Sequence, residues 1–358
     1  MNDYFVNLFV TDVCNFRCRY CYEKDGCQTK SNMSEKTADE VIRFIANSIS
    51  ADQKLIVTFH GGEPLLQFDL IKYIIKQIRS ELNNKAVFGI TTNGSMLTDE
   101  MADYLANNMQ YKLSISIDGN EETQSFNRPA VNSNFDYEKV MKYAEYMNKI
   151  NPIFTIRMTY DRHNISDLFS NIRYFIDRGF DRIITEADFM SDEWEMEDFD
   201  RIYEQFIAMK GYIYGMENRD ITVYPINSRD ICLNNCTAGH DYYSISTTGQ
   251  IFPCTMVMND EKHCLGNVRK GIDKAALDFI DNITSKHTNE CSDCTHSKFC
   301  TTNRCFFINY ASTGDYYSPN LVMCNLRNIK HRLDTDKTVF VVTKETDESG
   351  SAYSEDRR

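Results

Sequence analysis

Glycine and proline are scarce in this chain of 358 residues, at 15 and 6, while hydrophobic residues make up 42%. That balance excludes a chain disordered throughout and leaves a globular protein, large enough for one big domain or two ordinary ones. Basic residues are short as well: 39 Lys and Arg stand against 52 Asp and Glu, a net charge of −13. Phosphate backbones need clustered cations, so a nucleic-acid partner is not expected. No run approaches the roughly 20 apolar residues of a membrane span. MNDYFVNLFV lacks the basic flank and cleavage site of a secretion signal. The expectation is a cytoplasmic protein with no membrane attachment.

Cysteine is absent between Cys27 and Cys232, and the 13 cysteines fall on either side of that gap. Cys14, Cys18, Cys21 and Cys27 lie near the start; the other nine run from Cys232 to Cys324. A reducing compartment disfavours structural disulfides, so two metal-binding regions, holding zinc or iron–sulfur clusters, are expected.

Across residues 1–190, short apolar runs alternate with stretches of helical period, the pattern of βα units and a parallel sheet. Strands are expected at Tyr4 to Val10, Leu55 to His60, Ala86 to Thr92, Lys112 to Ile117, Ile153 to Thr159 and Arg182 to Ala187. Helix stripes such as Val41, Ile42, Ile45 and Ile49, then Leu70, Ile71, Ile74, Ile75 and Ile78, lie between them. Right-handed crossovers would curl six such units into an α/β fold, a partial TIM-like (β/α)6 barrel with its functional loops after the strand C-termini. A bridging helix near 195–217 and a linker fill 191–230. A cysteine-rich second domain is expected over 231–330, with a hairpin turning at Gly249. The tail 331–358 is expected to be disordered from Lys344, where aliphatic residues all but vanish.

After the first strand, TDVCNFRCRYCYE spaces Cys14, Cys18 and Cys21 as C-x3-C-x2-C. Structural zinc closes its shell with four protein ligands, whereas three thiolates on a four-iron cluster leave one iron open for chemistry. A zinc knuckle completed by Cys27 or a distant residue is the bland alternative. After the second strand, LIVTFHGGEPLL places Gly61, Gly62, Glu63 and Pro64 at a strand end. Glycines there let a ligand approach the backbone, and a carboxylate can accept hydrogen bonds from an ammonium group.

CNFRCRYCYE followed by GGEP resembles the radical S-adenosylmethionine (SAM) superfamily, as do TTNGSMLT (91–98) and LSISIDGNEETQSFNR (113–128). The resemblance implies a radical SAM enzyme in which Cys14, Cys18 and Cys21 hold a [4Fe–4S] cluster that chelates SAM. It places Tyr20 beside the adenine, Gly61, Gly62 and Glu63 at the methionine amino group, and Ser116 and Asp118 near the ribose. Pro64 and Asn93 join the expected SAM contacts. SAM would be cleaved to a 5′-deoxyadenosyl radical that takes a hydrogen atom from the substrate.

The C-terminal cysteines begin a dense run with CSDC at Cys291 and Cys294, a strong metal signal. Their order is similar to the SPASM extension of radical SAM enzymes that modify peptides and proteins, which implies two auxiliary [4Fe–4S] clusters. Cys236, Cys254 and Cys305, with Cys232, match one; Cys291, Cys294, Cys300 and Cys324 match the other. Four residues separate Cys300 from Cys305 where three are usual. Cys27 and Cys264 are left over, as idle thiols or as hydrogen-atom donors to a substrate radical. His60 is expected to satisfy a backbone group, and His296 would ligate zinc if the cluster reading failed.

The function implied is maturation of a ribosomally made precursor peptide (RiPP maturase), leaving a thioether, a C–C crosslink or an epimerised residue. Reduced flavodoxin or ferredoxin would be the electron donor. The first strand begins near residue 4, so the leader would be delivered by a separate protein or bound by the barrel and SPASM surfaces. Formylglycine maturation of a sulfatase is the enzymatic alternative, although Thr255 follows Cys254 where those maturases carry a catalytic Asp. A zinc-stabilised scaffold or electron carrier is the alternative of another class.

Overall fold

A computed structural model describes residues 3–23, 31–82, 85–131, 135–216, 219–227, 236–286, 291–297, 300 and 302–335. Cys27, Cys232 and the tail from 336 lie outside the described residues.

Seven parallel strands form the frame: β1 (Tyr4–Thr11), β2 (Leu55–Gly61), β3 (Ala86–Thr92), β4 (Lys112–Ser116), β5 (Phe154–Tyr160), β6 (Arg182–Ala187) and β7 (Thr222–Tyr224). Each pairs with the next in sequence order. Six agree with the sequence pattern to within a residue at either end. The seventh, three residues long, carries too little periodicity to be read.

The helices cover one face of this sheet because their apolar stripes repeat at helical spacing. In α1 (Glu35–Ser48) the buried set is Val41, Ile42 and Ile45 with their neighbours, and the Ser34 side chain caps the first turn by accepting from Thr37 N. In α2 (Phe68–Glu81) it is Leu70, Ile71, Ile74, Ile75 and Ile78. Next come α3 (Asp99–Asn108), α4 (Glu121–Asn127), α5 (Tyr137–Ile150), α6 (Leu168–Asp177) and the long α7 (Met196–Tyr214). Among the described residues no helix is long and apolar enough to cross a membrane.

Strand alternation puts every second side chain on the other face. β5 is buried at Phe154, Ile156, Met158 and Tyr160, and only partly buried at Thr155, Arg157 and Thr159. The first set joins the core under the helices. The second lines the concave side, so β5 presents Thr155, Arg157 and Thr159 to the lumen.

The cysteine-rich segment is joined to this frame rather than set apart from it. β8 (Tyr242–Ile245) runs parallel to β1, with Phe5 opposite Tyr242 and Leu8 opposite Ile245. β9 (Gln250–Phe252), β10 (Gly266–Asn267) and β11 (Gly271–Ile272) follow antiparallel, giving one sheet of eleven strands. The expected hairpin is β8–β9, turning at Gly249 with φ +84°. The cysteine-rich segment also carries three helices, α8 (Lys274–Thr284), α9 (Phe306–Thr313) and α10 (Leu321–Thr335). Asn and Thr in α9 and Cys and Asn in α10 break up the apolar stripe, whereas α8 carries a regular stripe that went unread.

Candidate functional site

The loop after β1 carries the first three thiols, and its backbone is strapped on two sides. On one side Gly62 N donates to Thr11 O (3.1 Å) and Glu63 N to Val13 O (2.9 Å). On the other, Arg17 N donates to Pro129 O (2.8 Å), Arg19 N to Asn127 O (2.9 Å) and Val131 N to Asn15 O (2.9 Å). Phe16 is buried and meets Phe135 edge-on at 5.2 Å. From Thr11 to Arg19 the loop is therefore held by backbone hydrogen bonds on both sides.

The glycines serve this strapping. A Cβ on Gly61 would stand 2.1 Å from Thr11 O, and one on Gly62 would stand 2.5 Å from Val13 O and 2.8 Å from Cys14 Cβ. The expected reason was ligand approach to a free backbone. In the structure the close neighbour is the cysteine loop itself.

Glu63 is buried and its carboxylate is already engaged: Oε1 accepts from Leu65 N (3.0 Å) and Thr92 Oγ1 (2.6 Å), and Oε2 from Asn93 N (2.8 Å). A carboxylate offers about four acceptor sites, so one is left for an outside donor. Asn93 bridges in turn to the cysteine loop, Nδ2 donating to Asn15 Oδ1 (2.9 Å) while Oδ1 accepts from Ser95. Pro64 opens a buried 3₁₀ turn. Glu63 and Asn93 tie the loops after β1, β2 and β3 into one body.

Asp118 departs further from expectation. Its buried carboxylate accepts from Tyr20 Oη, Asn127 Nδ2 (3.1 Å), Arg128 Nε and Nη2 (both 3.0 Å) and Thr159 N (2.9 Å). Five donors, two of them from Arg128, hold this carboxylate in place. Its partner Arg128 went unread in the sequence, although it closes the segment 113–128. Arg128 stacks over the Tyr20 ring at 5.2 Å and points Nη1 at Cys18 Sγ, 4.0 Å away. The seven residues of α4 are what bring Asp118 and Arg128 together. Ser116 ends β4 on the lumen face, opposite Arg157.

Cys14, Cys18 and Cys21 are free thiols. Burial pushes the Cys14 thiol up to about 12, offset in part by Phe16 N, with Glu63, Cys18 and Cys21 adding to the rise. Burial raises Cys18 as well, against the pull of Arg128. Beside Cys21 a cavity of about 480 Å³ opens towards the loops after β5 and β6, lined by Tyr20, Tyr22, Asp161, His163, Asp188 and Glu193 among others.

The C-terminal thiols gather in two groups. Cys254, raised by burial to about 11, lies in the field of Cys236. Cys305, raised by burial to about 12, feels Cys254 and Cys236. Cys324 on α10 is raised by burial and then by Cys300, Cys291 and Cys294. Cys264 joins neither group; its thiol donates to Gly266 O (3.4 Å) beside β10, two strands beyond β8. His60 stacks on Phe9 at 5.5 Å, and its ring makes no hydrogen bond among the described residues, so it does not satisfy a backbone group. His296 stacks on His331 at 4.2 Å.

Residues 8–174 match the model of the Radical SAM superfamily. The protein is an enzyme built on a radical SAM domain. An AdoMet-dependent heme synthase of Methanosarcina barkeri is 25% identical to it over 339 residues, spanning 86% of this chain and 92% of that one. A cysteine-type anaerobic sulfatase-maturating enzyme of Clostridium novyi is 21% identical over 80% of this chain and 83% of its own. The solved structure of native anSMEcpe with bound AdoMet matches with a TM-score of 0.74 at 18% identity, covering 92% of this chain and 98% of that one. Streptococcus suis SuiB bound to the precursor peptide SuiA matches at 0.63 and 17%, covering 90% and 76%. These likenesses extend the radical SAM frame through the cysteine-rich segment.

The superfamily implies SAM and a four-iron cluster, and the donor set of this radical SAM domain fits the cluster. Among the described residues no three His, Cys, Asp or Glu side chains converge as tightly as a single metal ion requires. A cubane cluster takes one thiolate per iron and spaces its ligands more widely. Two of the three neighbouring thiols, Cys14 and Cys18, hold their protons more tightly than usual, and a metal centre displaces such protons outright.

Proposed function

We propose that this radical SAM enzyme is a peptide maturase. It would install a thioether, a C–C crosslink or an epimerised residue in a ribosomally made precursor. In this reading Cys14, Cys18 and Cys21 hold the SAM cluster, the group of Cys236, Cys254 and Cys305 holds one auxiliary cluster, and Cys291, Cys294, Cys300 and Cys324 hold the other. The observation that carries it is the gathering of the C-terminal thiols into two groups, in a segment whose strands continue the barrel sheet. Thiolate sets of that kind suit iron–sulfur clusters. The likeness to a structure bound to a precursor peptide supports a peptide as substrate.

Cluster-bound SAM supplies a one-electron cleavage that ends in removal of a hydrogen atom from the substrate. The chain's own part is to hold and shield. Arg128 places positive charge beside Cys18, Asp118 fixes Arg128 and Tyr20 together, and Glu63 keeps one acceptor site for the SAM ammonium. The cavity beside Cys21 gives the substrate its approach.

Iron, sulfide and zinc counts on anaerobically reconstituted protein, followed by the mass of a candidate peptide after turnover, test the proposal. About twelve irons with negligible zinc and a mass change in the peptide are expected. About four irons with one or two zincs would make the C-terminal module structural and remove the main support. Formylglycine maturation is favoured by the likeness to the sulfatase-maturating enzyme and opposed by Thr255 beside Cys254. Oxidation of a cysteine in a sulfatase-derived peptide would select it.

A further inference from the structure

The outer side of the cysteine loop is a surface that no step above uses. Residues 15–19 run antiparallel to residues 127–131, joined at the bridge between Phe16 and Ala130. Side chains alternate between the two faces of such a ribbon. Phe16 points inward and is buried, whereas Arg17, Arg19, Pro129 and Val131 stand exposed. Phe126, near the end of α4, is 48% exposed and Val131 51%. The Arg19 guanidinium lies 4.1 Å over the Phe126 ring, and Arg17 Nη1 donates to Phe16 O (2.9 Å) and Cys14 O (3.2 Å). Exposed Met96 adjoins them through Ser95, whose hydroxyl accepts from Asn15 Nδ2 (2.8 Å).

Charge sets this face apart. The chain as a whole carries −13, yet residues 13–22 and 125–131 contain three arginines and no Asp or Glu. Asp118 neutralises Arg128. Arg17 and Arg19 are left as surplus positive charge, neither with an ion-pair partner among the described residues. The acids of α4, Glu121 and Glu122, lie in its first turn, at the far end from Phe126. Single apolar side chains on a surface are ordinary, but Phe, Met and Arg gathered together are the composition of a protein interface.

The same ribbon turns its inner side to the thiols. Arg17 bonds the carbonyl of Cys14, and Arg128 points Nη1 at Cys18 Sγ. One layer of backbone thus separates the exposed face from Cys14 and Cys18. The one-electron cleavage of SAM consumes an electron that another molecule must bring. Electron transfer falls off steeply with distance, so the carrier docks where least protein intervenes, and such encounters need only a small contact area.

We propose that Arg17, Arg19, Phe126, Val131 and Met96 form the docking face for an acidic one-electron carrier protein. The arginines steer the carrier in and the apolar side chains seat it. The carrier loses one electron to the cluster, and no atom is transferred. The inference rests on the assignment of the SAM cluster to Cys14, Cys18 and Cys21 and is independent of which substrate is modified.

The test uses the reconstituted holoenzyme with SAM and no peptide, and a reduced flavodoxin as the probe. Binding is read from flavin fluorescence, and reduction of the SAM cluster from the electron paramagnetic resonance signal of freeze-quenched samples. The second-order reduction rate is expected to fall roughly tenfold in Arg19→Glu, and binding to weaken as salt is raised. Val131→Glu is expected to weaken binding as well, by placing a negative charge among the apolar contacts. Dithionite, too small to need a docking face, is expected to reduce the parent and both variants at one rate. Parent-like rates with flavodoxin in both variants, or binding indifferent to salt, overturn the face and place electron entry elsewhere. An enzyme dimer that Val131→Glu dissolves overturns it too, by giving the face to a second copy of this chain. Failure of dithionite to give a SAM-sensitive signal in the parent is a different result: it overturns the cysteine assignment, and the docking face with it.

Discussion

Asp118 shows how a side chain legible in sequence can hide its partners. An Asp at a strand end reads as a ligand contact, because sequence carries its position but not its partners. Five hydrogen bonds, two of them from Arg128, make it an internal anchor. Replacing Arg128 by Met strands a buried carboxylate, at a cost of about 3–5 kcal/mol. Adding Asp118→Asn should recover part of that loss, so the double variant is expected to be less destabilised than the two single changes summed. Urea unfolding of the four proteins checks it; additive losses would mean that the pair is not coupled. Lys112 makes the opposite case, a polar group held at a stability cost. Its folded-state pKa is depressed from 10.5 to about 8. The unfolded chain therefore binds more protons between those values, and stability should rise with pH across that window. Lys112→Met is accordingly expected to stabilise the protein by about 1–3 kcal/mol below pH 8. The gain should shrink to nothing as the pH passes 10.5. Thermal melts of both proteins through that range read the difference, and a gain independent of pH would assign it to packing instead.

Among the elements, those of the barrel and the bridging helix were legible and most of those in the C-terminal segment were not. β6 begins at Arg182 and ends at Ala187 as its residues suggest, and the α2 stripe from Leu70 to Ile78 is the buried set. β7, with three residues, and α9 and α10, whose stripes are interrupted by polar residues, needed tertiary context to be seen, whereas the stripe of α8 was there to read and was overlooked. The cysteine triad was legible as a spacing. What shapes its loop was not, because the strap pairs residues 11–14 with 61–63 and residues 15–19 with 127–131. That strap makes Gly62 the sensitive position of the element. Gly62→Ala would drive a methyl group into Val13 O and Cys14 Cβ, atoms with little freedom to move. Overpacking of this kind costs about 1–3 kcal/mol, less than would unfold a typical domain. The variant is thus expected to melt cooperatively while losing SAM cleavage, with iron at the C-terminal thiols retained. Iron counts and SAM cleavage assays separate the two effects; undiminished cleavage would show that the loop tolerates the shift.

At the scale of the molecule the decisive contact is the parallel pairing of β1 with β8. A boundary near residue 190 or 230 follows from composition, because cysteine density and helical period change there. Sheet topology overrides it: β8 covers the edge of β1, and β9 to β11 continue the same sheet outward. The barrel strands therefore lack a finished edge without the cysteine-rich segment, and an uncovered strand edge invites pairing between chains. Relatives named for haem synthesis and for sulfatase maturation are similar along most of this chain, so the frame alone does not select a substrate. A chain ending at Asn227 tests the integration directly. Two independent domains would give a soluble, monomeric barrel that still binds iron at Cys14, Cys18 and Cys21. The continuous sheet predicts a product that self-associates, because Tyr4 to Thr11 would present their free backbone edge to solvent. Light scattering and size exclusion on the truncated chain discriminate between the two: a stable monomer would return the cysteine-rich segment to the status of an appended module.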